Sequence, residues 1–146
     1  MYIDRIELNV ADVKGVQLAM APLHSRRPHE EIDPPHVTSL AKKIVLDDMF
    51  TTPIVVCRDS FVILDGHHRF TAMRDLLKAR CIPAYLIDYQ DNHLSQVGTW
   101  RENDSITKRD VSEAGLSGNL MAPKRSKHRF CFPRYLASVP LMMLSK

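Results

Sequence analysis

The sequence predicts an α+β domain built on a small mixed sheet. Three observations carry that prediction. An apolar, β-branched run, Phe61-Val62-Ile63-Leu64, stops at Asp65-Gly66 and gives way to a helical pattern, with Phe70, Met73, Leu76 and Leu77 at i, i+3, i+6 and i+7. A second short apolar run, Ile54-Val55-Val56-Cys57, lies just upstream across Arg58-Asp59-Ser60, and the pair reads as a β-hairpin. The order strand, helix, hairpin, helix, strand then describes a small α+β arrangement.

Taken in order, residues 2–9 alternate imperfectly in a strand-like way. Val10 to Leu23 fits either a short helix or a strand, ended by Pro22. His24 to Pro35 is a polar loop punctuated by prolines. Pro34 or Pro35 suits the first turn of a helix whose apolar stripe is Val37, Leu40, Ile44 and Val45. Thr52-Pro53 breaks the chain before the hairpin. A helix from about His68 to Lys78 follows, with Lys78 and Arg80 complementing its C-terminal dipole. Ile82 to Tyr89 reads as a strand, with Pro83 near its start, where a missing N–H matters least. Gln90 to Asn103 is polar and looser. Thr107 with Asp110 resembles a capping box opening a helix from about Lys108 to Ser117, and Gly118 is placed to stop it. Ala122 to Phe130 is a basic loop, and the apolar tail from Tyr135 to Leu144 is expected to pack back as a strand.

At 146 residues the chain is expected to be one domain, able to bury about 70% of its unfolded surface. Its core is expected over about 1–90, with a C-terminal part over about 91–146. Hydrophobic residues at 45% and charged residues at 25% are ordinary for a globular chain. A net charge of +3 suits an anionic ligand and does not argue for nucleic acid, which usually leaves a denser Lys/Arg patch. Cys57, Cys81 and Cys131 are odd in number and widely spaced, so neither a disulfide framework nor a zinc site is indicated. A reducing cytosol is the simplest setting. No signal-peptide pattern opens the chain, and the apolar tail is too short to span a bilayer.

Three polar clusters are candidates for chemistry. In Asp65-Gly66-His67-His68-Arg69 a strand ends, turns at a glycine and feeds a helix N-terminus. Free N–H groups and the positive end of the helix dipole point at one spot there, and such a spot binds phosphate. Gly66 permits positive φ or close approach, and the three side chains add donors, with Arg69 able to bind phosphate through two hydrogen bonds. The same residues could also be solvated groups at a helix start. In His29-Glu30-Glu31 a carboxylate could serve as general base for an attacking hydroxyl, or simply stabilise the following helix N-terminus. Lys124 to Arg129 could clamp an anion or be a solvated basic loop, and Trp100 could pack or contact a ligand.

The motif Asp65 to Arg69 resembles the DGHHR turn of the ParB/sulfiredoxin-like fold, in the branch that holds the free L-serine kinases. The resemblance spans nearly the whole chain. His29-Glu30, the turn, Thr99-Trp100, and Pro123 to His128 recur in the family's order, and Val111 to Gly118 also looks like that family. It implies a kinase that converts free L-serine to O-phospho-L-serine, with ADP or ATP as donor and Mg²⁺. Carried over, Glu30 is the general base and Glu31 its fallback. Gly66, His67, His68 and Arg69 hold the donor phosphates, and Asp65 orders the turn or the Mg²⁺ shell. Trp100, Ser126, Lys127 and His128 shape the serine pocket. The chain is shorter than the family's members, and its pocket loop reads Arg-Ser-Lys-His where a Thr-Arg-His type of run is expected. Two alternatives to the kinase are a nucleotide-binding, DNA-associated ParB-like module and a non-catalytic metabolite sensor. A helix-turn-helix after the domain is not evident. A sulfiredoxin-like reductase would need a cysteine in the turn, and none lies there. The sequence leaves the oligomeric state open.

Overall fold

The computed structural model describes residues 13–145, so the expected strand over 2–9 lies outside the described residues. In chain order the elements are β1 (Val16–Pro22), a 3₁₀ turn (Leu23–Ser25), α1 (Pro34–Asp47), β2 (Met49–Phe50), β3 (Ile54–Cys57) and β4 (Ile63–Asp65). Then come α2 (His67–Thr71), continuing as a π-helical turn over Ala72–Leu76, followed by β5 (Cys81–Ile87), β6 (Ser95–Thr99) and α3 (Lys108–Ser117). The chain closes with β7 (Ser126–Phe130), β8 (Val139–Pro140) and α4 (Leu141–Leu144).

The main sheet runs β1-β5-β3-β4. β5 is antiparallel to β1, from Val16↔Ile87 to Pro22↔Cys81, and parallel to β3, from Ile54↔Ala84 to Cys57↔Ile87. Parallel pairing of β3 with β5 requires a crossover, which α2 supplies. Pro83 pairs with Met20 of β1, one residue before the β3 register begins at Ala84, so its missing N–H falls where the strand has a single neighbour. The hairpin β3–β4 changes register between Val55↔Asp65 and Val56↔Ile63, which leaves Leu64 as an extra residue on β4. Such a bulge re-aims the residues at the strand's end, here Asp65 and the turn beyond it.

Alternation along β3 divides the core. Ile54 and Val56 join Met20, Phe50, Ile63, Phe70, Met73, Val139 and Leu144 on one face. Val55 and Cys57 join Tyr85, Tyr89, Ile106, Val111, Met121 and Phe132 on the other. Both faces are therefore covered: one by α2 and the C-terminal β8–α4 segment, the other by α3 and the stretch leading to β7. The α3 helix starts and stops as the sequence predicts. Thr107 and Asp110 form a reciprocal capping box, and Gly118 closes the helix at φ 79°.

Several elements differ from expectation. Of the stretch Val10 to Leu23, Val16–Pro22 is strand β1, and residues 10–12 lie outside the described residues. In α1 the buried stripe is Val37, Ala41 and Ile44, while Val45 is 54% exposed, because i, i+4, i+7 spacing turns it away from the core. The π turn after α2 widens the helix, as Leu77 N–H bonds Ala72 O at 3.0 Å. Leu76, predicted on the apolar face, is thereby left half exposed. Phe61 lies in the hairpin turn at φ 65° rather than in the strand. The polar 90–103 stretch contains β6 and the basic loop contains β7, and the two pair antiparallel from Ser95↔Phe130 to Thr99↔Ser126. The tail contributes only the two-residue β8, paired with β2, before turning into α4.

At Gly115 the α3 helix lies directly against Val62, the residue before β4. A Cβ there would lie 2.6 and 2.7 Å from the Val62 Cγ atoms. Gly115→Ala should therefore destabilise, by about 1 kcal/mol or more, despite alanine's better helix propensity. Urea denaturation reads this directly, and a neutral or stabilised variant would contradict the packing.

Candidate functional site

Gly66 makes the turn possible. It sits at φ 102° as the residue before α2, and a Cβ on it would collide with Ile54, whose own Cβ would be only 2.9 Å away. The first helical bond runs from Phe70 N–H to Gly66 O at 2.8 Å. The N–H groups of His67, His68 and Arg69 thus precede any intrahelical acceptor and are available to an anion.

The side chains of the turn are held from behind. His67 is buried, and its Nε2 accepts from His29 N–H at 3.1 Å, which leaves the proton of the neutral ring on Nδ1. Burial, then the neighbouring His29 and His128, holds His67 well below the usual imidazole range. His68 Nε2 accepts from Asp33 N–H at 3.0 Å, and its ring lies 4.4 Å from that of His36 on α1. Burial and then His36 lower His68. Arg69 is more occupied than the sequence suggests. Its Nη1 donates to Thr52 O at 2.8 Å and Pro53 O at 3.2 Å, and its Nη2 to Asp65 Oδ2 at 3.3 Å. Arg134 Nη1 shares that same Oδ2 at 3.1 Å. Two of the five Arg69 donors remain for a ligand.

The Glu30 loop faces this turn. Met121 N–H donates to His29 O at 2.9 Å and Glu31 N–H to Met121 O at 2.8 Å, a short bridge that fixes the loop against the approach to β7. The Glu30 carboxylate, 11% exposed, accepts from Lys124 N–H, from Ser126 N–H at 3.3 Å and from Ser126 Oγ–H at 2.5 Å. Three of its roughly four acceptor positions are filled, which leaves room for one more donor. Glu31 is exposed and does not line the cleft.

The β6–β7 ribbon forms the remaining wall. Trp100, 65% exposed, follows β6, with Lys127 Nζ 4.3 Å from its ring centroid. His128 Nε2 pairs with Tyr89 Oη at 2.8 Å. Burial and then the neighbouring His29 lower His128 to about 3, while burial raises the Tyr89 hydroxyl.

These groups line one cleft of about 390 Å³. Glu30, Asp65, Gly66, His67, His68, Arg69, Trp100, Ser126, Lys127 and His128 all face it, and Glu31 alone of the expected residues does not. Sequence reasoning missed His36 and the backbone of Lys124, both of which line or brace the cleft, and missed the part played by His29. The adjacency of His29 to Glu30 was the only available signal. Fixed positive charge in the lining comes from Arg69, Lys124 and Lys127, and its carboxylates are Glu30 and Asp65. The arrangement offers donors suited to an anion and a carboxylate in the same cleft.

A glycine turn that opens a helix, with a carboxylate lining the same cleft, on a sheet of this topology, is what the site presents. Among solved structures, a free serine kinase in complex with AMP matches with a TM-score of 0.77 at 14% identity, covering 95% of this chain and 98% of that one. A glutamate-to-alanine mutant in complex with ADP matches at 0.77. C-terminally truncated SbnI from Staphylococcus aureus matches at 0.76 over 88% of this chain and 89% of that one. At these identities the likeness is one of fold, and it is the ParB/sulfiredoxin-like fold expected from the sequence. No protein-family model matches the chain. Its curated relatives are L-serine kinases and a ParB-like protein. An ATP-dependent L-serine kinase of Staphylothermus marinus is 32% identical over 100 residues, 66% of this chain and 39% of that protein. A ParB-like protein of Sulfolobus acidocaldarius is 38% identical over 91 residues, 60% of this chain and 43% of that protein. An ADP-dependent L-serine kinase of Thermococcus kodakarensis is 23% identical over 104 residues, 68% of this chain and 42% of that protein. The chain spans about two fifths of the length of these relatives.

The buried histidines make stability depend on pH. His29, His67 and His128 are neutral when folded and titrate near 6.5 when unfolded. Below 6.5 the unfolded chain takes up protons that the folded chain refuses, so stability falls with falling pH, for His128 down to about 3. Each such group contributes about 1.4 kcal/mol per pH unit at most. Urea midpoints should drop between pH 7.5 and 5, above the range of ordinary carboxylates, and His128→Gln should flatten that drop. Midpoints unchanged over this window would contradict the assignment.

Proposed function

We propose that the chain is a nucleotide-dependent kinase that phosphorylates free L-serine to O-phospho-L-serine. The observation that carries this reading is that the Glu30 carboxylate and the Gly66–Arg69 turn face each other across one cleft. Phosphoryl transfer needs positioning and charge neutralisation more than covalent help. The N–H groups at the start of α2, with His67, His68 and Arg69, hold the donor phosphates. Glu30 accepts the proton of the acceptor hydroxyl as it attacks phosphorus. Ser126, Lys127, His128 and Trp100 enclose the acceptor on the other wall. The L-serine kinases among the relatives support the acceptor, and their naming as ATP- or ADP-dependent supports either donor.

Asp65 fits a supporting part in holding Mg²⁺. Its Oδ2 is taken by Arg69 and Arg134, while Oδ1 has no protein partner among the described residues. Among those residues no group of three or more His, Cys, Asp or Glu could hold a metal unaided. Mg²⁺ is commonly bound through one or two carboxylates together with substrate phosphates. Mg²⁺ bound there would neutralise phosphate charge. The chain is read as one domain, residues 1–90 supplying the donor side and 91–146 the acceptor side. The free thiols of Cys57, Cys81 and Cys131 suit a reducing cytosol. No helix among the described residues is long and apolar enough to cross a membrane.

The test is a donor and acceptor screen: protein with Mg²⁺, ATP or ADP, and single amino acids, followed for phosphoamino acid and for ADP or AMP. L-serine should be the amino acid phosphorylated. Glu30→Gln should lower kcat by about 10²-fold or more and leave nucleotide affinity by calorimetry within about twofold. Glu31→Gln should change neither. A Glu30→Gln protein with full turnover would remove the general base from the scheme. Arg69→Ala should weaken nucleotide binding, and an unchanged affinity would count against the phosphate assignment.

A further inference from the structure

One buried titratable group beside the cleft has no task in the scheme above. His29 is 0% exposed. Its Nδ1 lies 2.5 Å from Ile63 O, and since a carbonyl only accepts, Nδ1 carries the proton. The neutral ring then presents Nε2 as an acceptor, 2.9 Å from Ser126 Oγ. Ser126 Oγ lies 2.5 Å from Glu30 Oε2. Burial keeps the ring neutral, lowering it from the usual imidazole range against the pull of Ile63 O and Glu30.

Counting hydrogens along this chain exposes a deficit. The contacts Oε2···Oγ and Oγ···Nε2 each need one proton. With Glu30 ionised and His29 neutral, the only proton available to both is the hydroxyl's own. The chain is one proton short, and the proton that Glu30 takes from an attacking alcohol supplies it.

We propose that Glu30, Ser126 and His29 form a proton relay, with His29 Nε2 as the terminal acceptor of the proton removed from the acceptor alcohol. The identity of that alcohol rests on the kinase reading. In the transfer, the alcohol O–H bond breaks and its proton passes to Glu30. The alcohol oxygen forms the new P–O bond, while the bond to the nucleotide's leaving oxygen breaks and that oxygen keeps the electron pair. Glu30 then donates to Ser126 Oγ, and the original Ser126 proton moves to Nε2. Glu30 returns to carboxylate, Ser126 is unchanged, and His29 carries a proton on each nitrogen. The Glu30 carboxylate, 3.7 Å from Nε2, balances that charge, and the neighbouring His67 and His128 rings, at 4.5 and 5.7 Å, are neutral. His29 touches no substrate. It is a positioning residue that acts through Ser126 and Glu30.

The variants are His29→Asn, which keeps a donor for Ile63 O and loses the acceptor, Ser126→Ala, which cuts the middle, and Ser126→Thr, which restores the hydroxyl. His29→Asn should lower kcat by about 10- to 100-fold with KM for both substrates within about twofold. The proton inventory of kcat in H₂O/D₂O mixtures should be curved for the natural protein and linear for His29→Asn. Ser126→Thr should recover kcat lost in Ser126→Ala. Full kcat in His29→Asn, or a linear inventory in the natural protein, would overturn the relay. A second measurement needs no turnover. Long-range ¹H–¹⁵N spectra should show His29 protonated on Nδ1, with an Nε2 shift that moves on Glu30→Gln and no longer moves when Ser126→Ala is also present. An Nε2–H tautomer, or an Nε2 shift indifferent to Glu30, would overturn the relay as well. A protein that passes this arm and phosphorylates no amino acid would sink the acceptor assignment and leave the relay standing.

Discussion

The site depends on how one buried imidazole is hydrogen-bonded. His29 donates from Nδ1 to Ile63 O, its Nε2 lies 2.9 Å from Ser126 Oγ, and its backbone N–H donates to His67 Nε2. Those three contacts join the proline-framed loop, the start of β4, the start of α2 and the start of β7. They act with the Met121 bridge and the Lys124 and Ser126 donors that hold the Glu30 loop. A buried polar group left without partners is costly, so the bonds His29 makes from Nδ1 and its backbone N–H hold these segments together. The proposed phosphoryl transfer would require that kind of support behind the groups lining the cleft.

The electrostatics follow from the same burial. Five histidines gather around or behind the cleft, yet His29, His67, His68 and His128 are all lowered, chiefly by desolvation. They act as neutral donors and acceptors, and fixed positive charge is left to Arg69, Lys124 and Lys127. Arg69 is itself tied to Asp65 and to the 52–53 carbonyls, so it braces the turn as much as it reaches a ligand. The backbone N–H groups beside Gly66 are the donors least committed to the protein.

How much of this is legible in the sequence depends on how local each feature is. The turn was legible because strand end, glycine and polar triplet are contiguous, and its glycine is required by a steric fact, the Ile54 side chain beneath it. The capping box of α3 is three residues wide and was equally plain. The β6–β7 ribbon was not, because Ser95-Gln96-Val97-Gly98-Thr99 and Ser126-Lys127-His128-Arg129-Phe130 lack the apolar alternation that marks a half-buried strand. The π turn after α2 was hidden because i, i+3, i+7 spacing presumes 3.6 residues per turn. Glu30 was distinguishable from Glu31 only through the family resemblance. The contact that separates them physically, Glu30 with Ser126, spans 96 residues of chain. His29 was hidden for the same reason, its partners lying 34 and 97 residues away.

The central claim is that the Gly66 turn holds the transferable phosphate while Glu30 faces the alcohol that attacks it. A structure of the protein with a non-hydrolysable ATP analogue, Mg²⁺ and L-serine tests this most directly. The account predicts terminal phosphate oxygens on the N–H groups of His67 and His68, with the serine hydroxyl between the terminal phosphorus and the Glu30 carboxylate. Phosphates bound away from that turn, or a serine hydroxyl out of reach of Glu30, would contradict it.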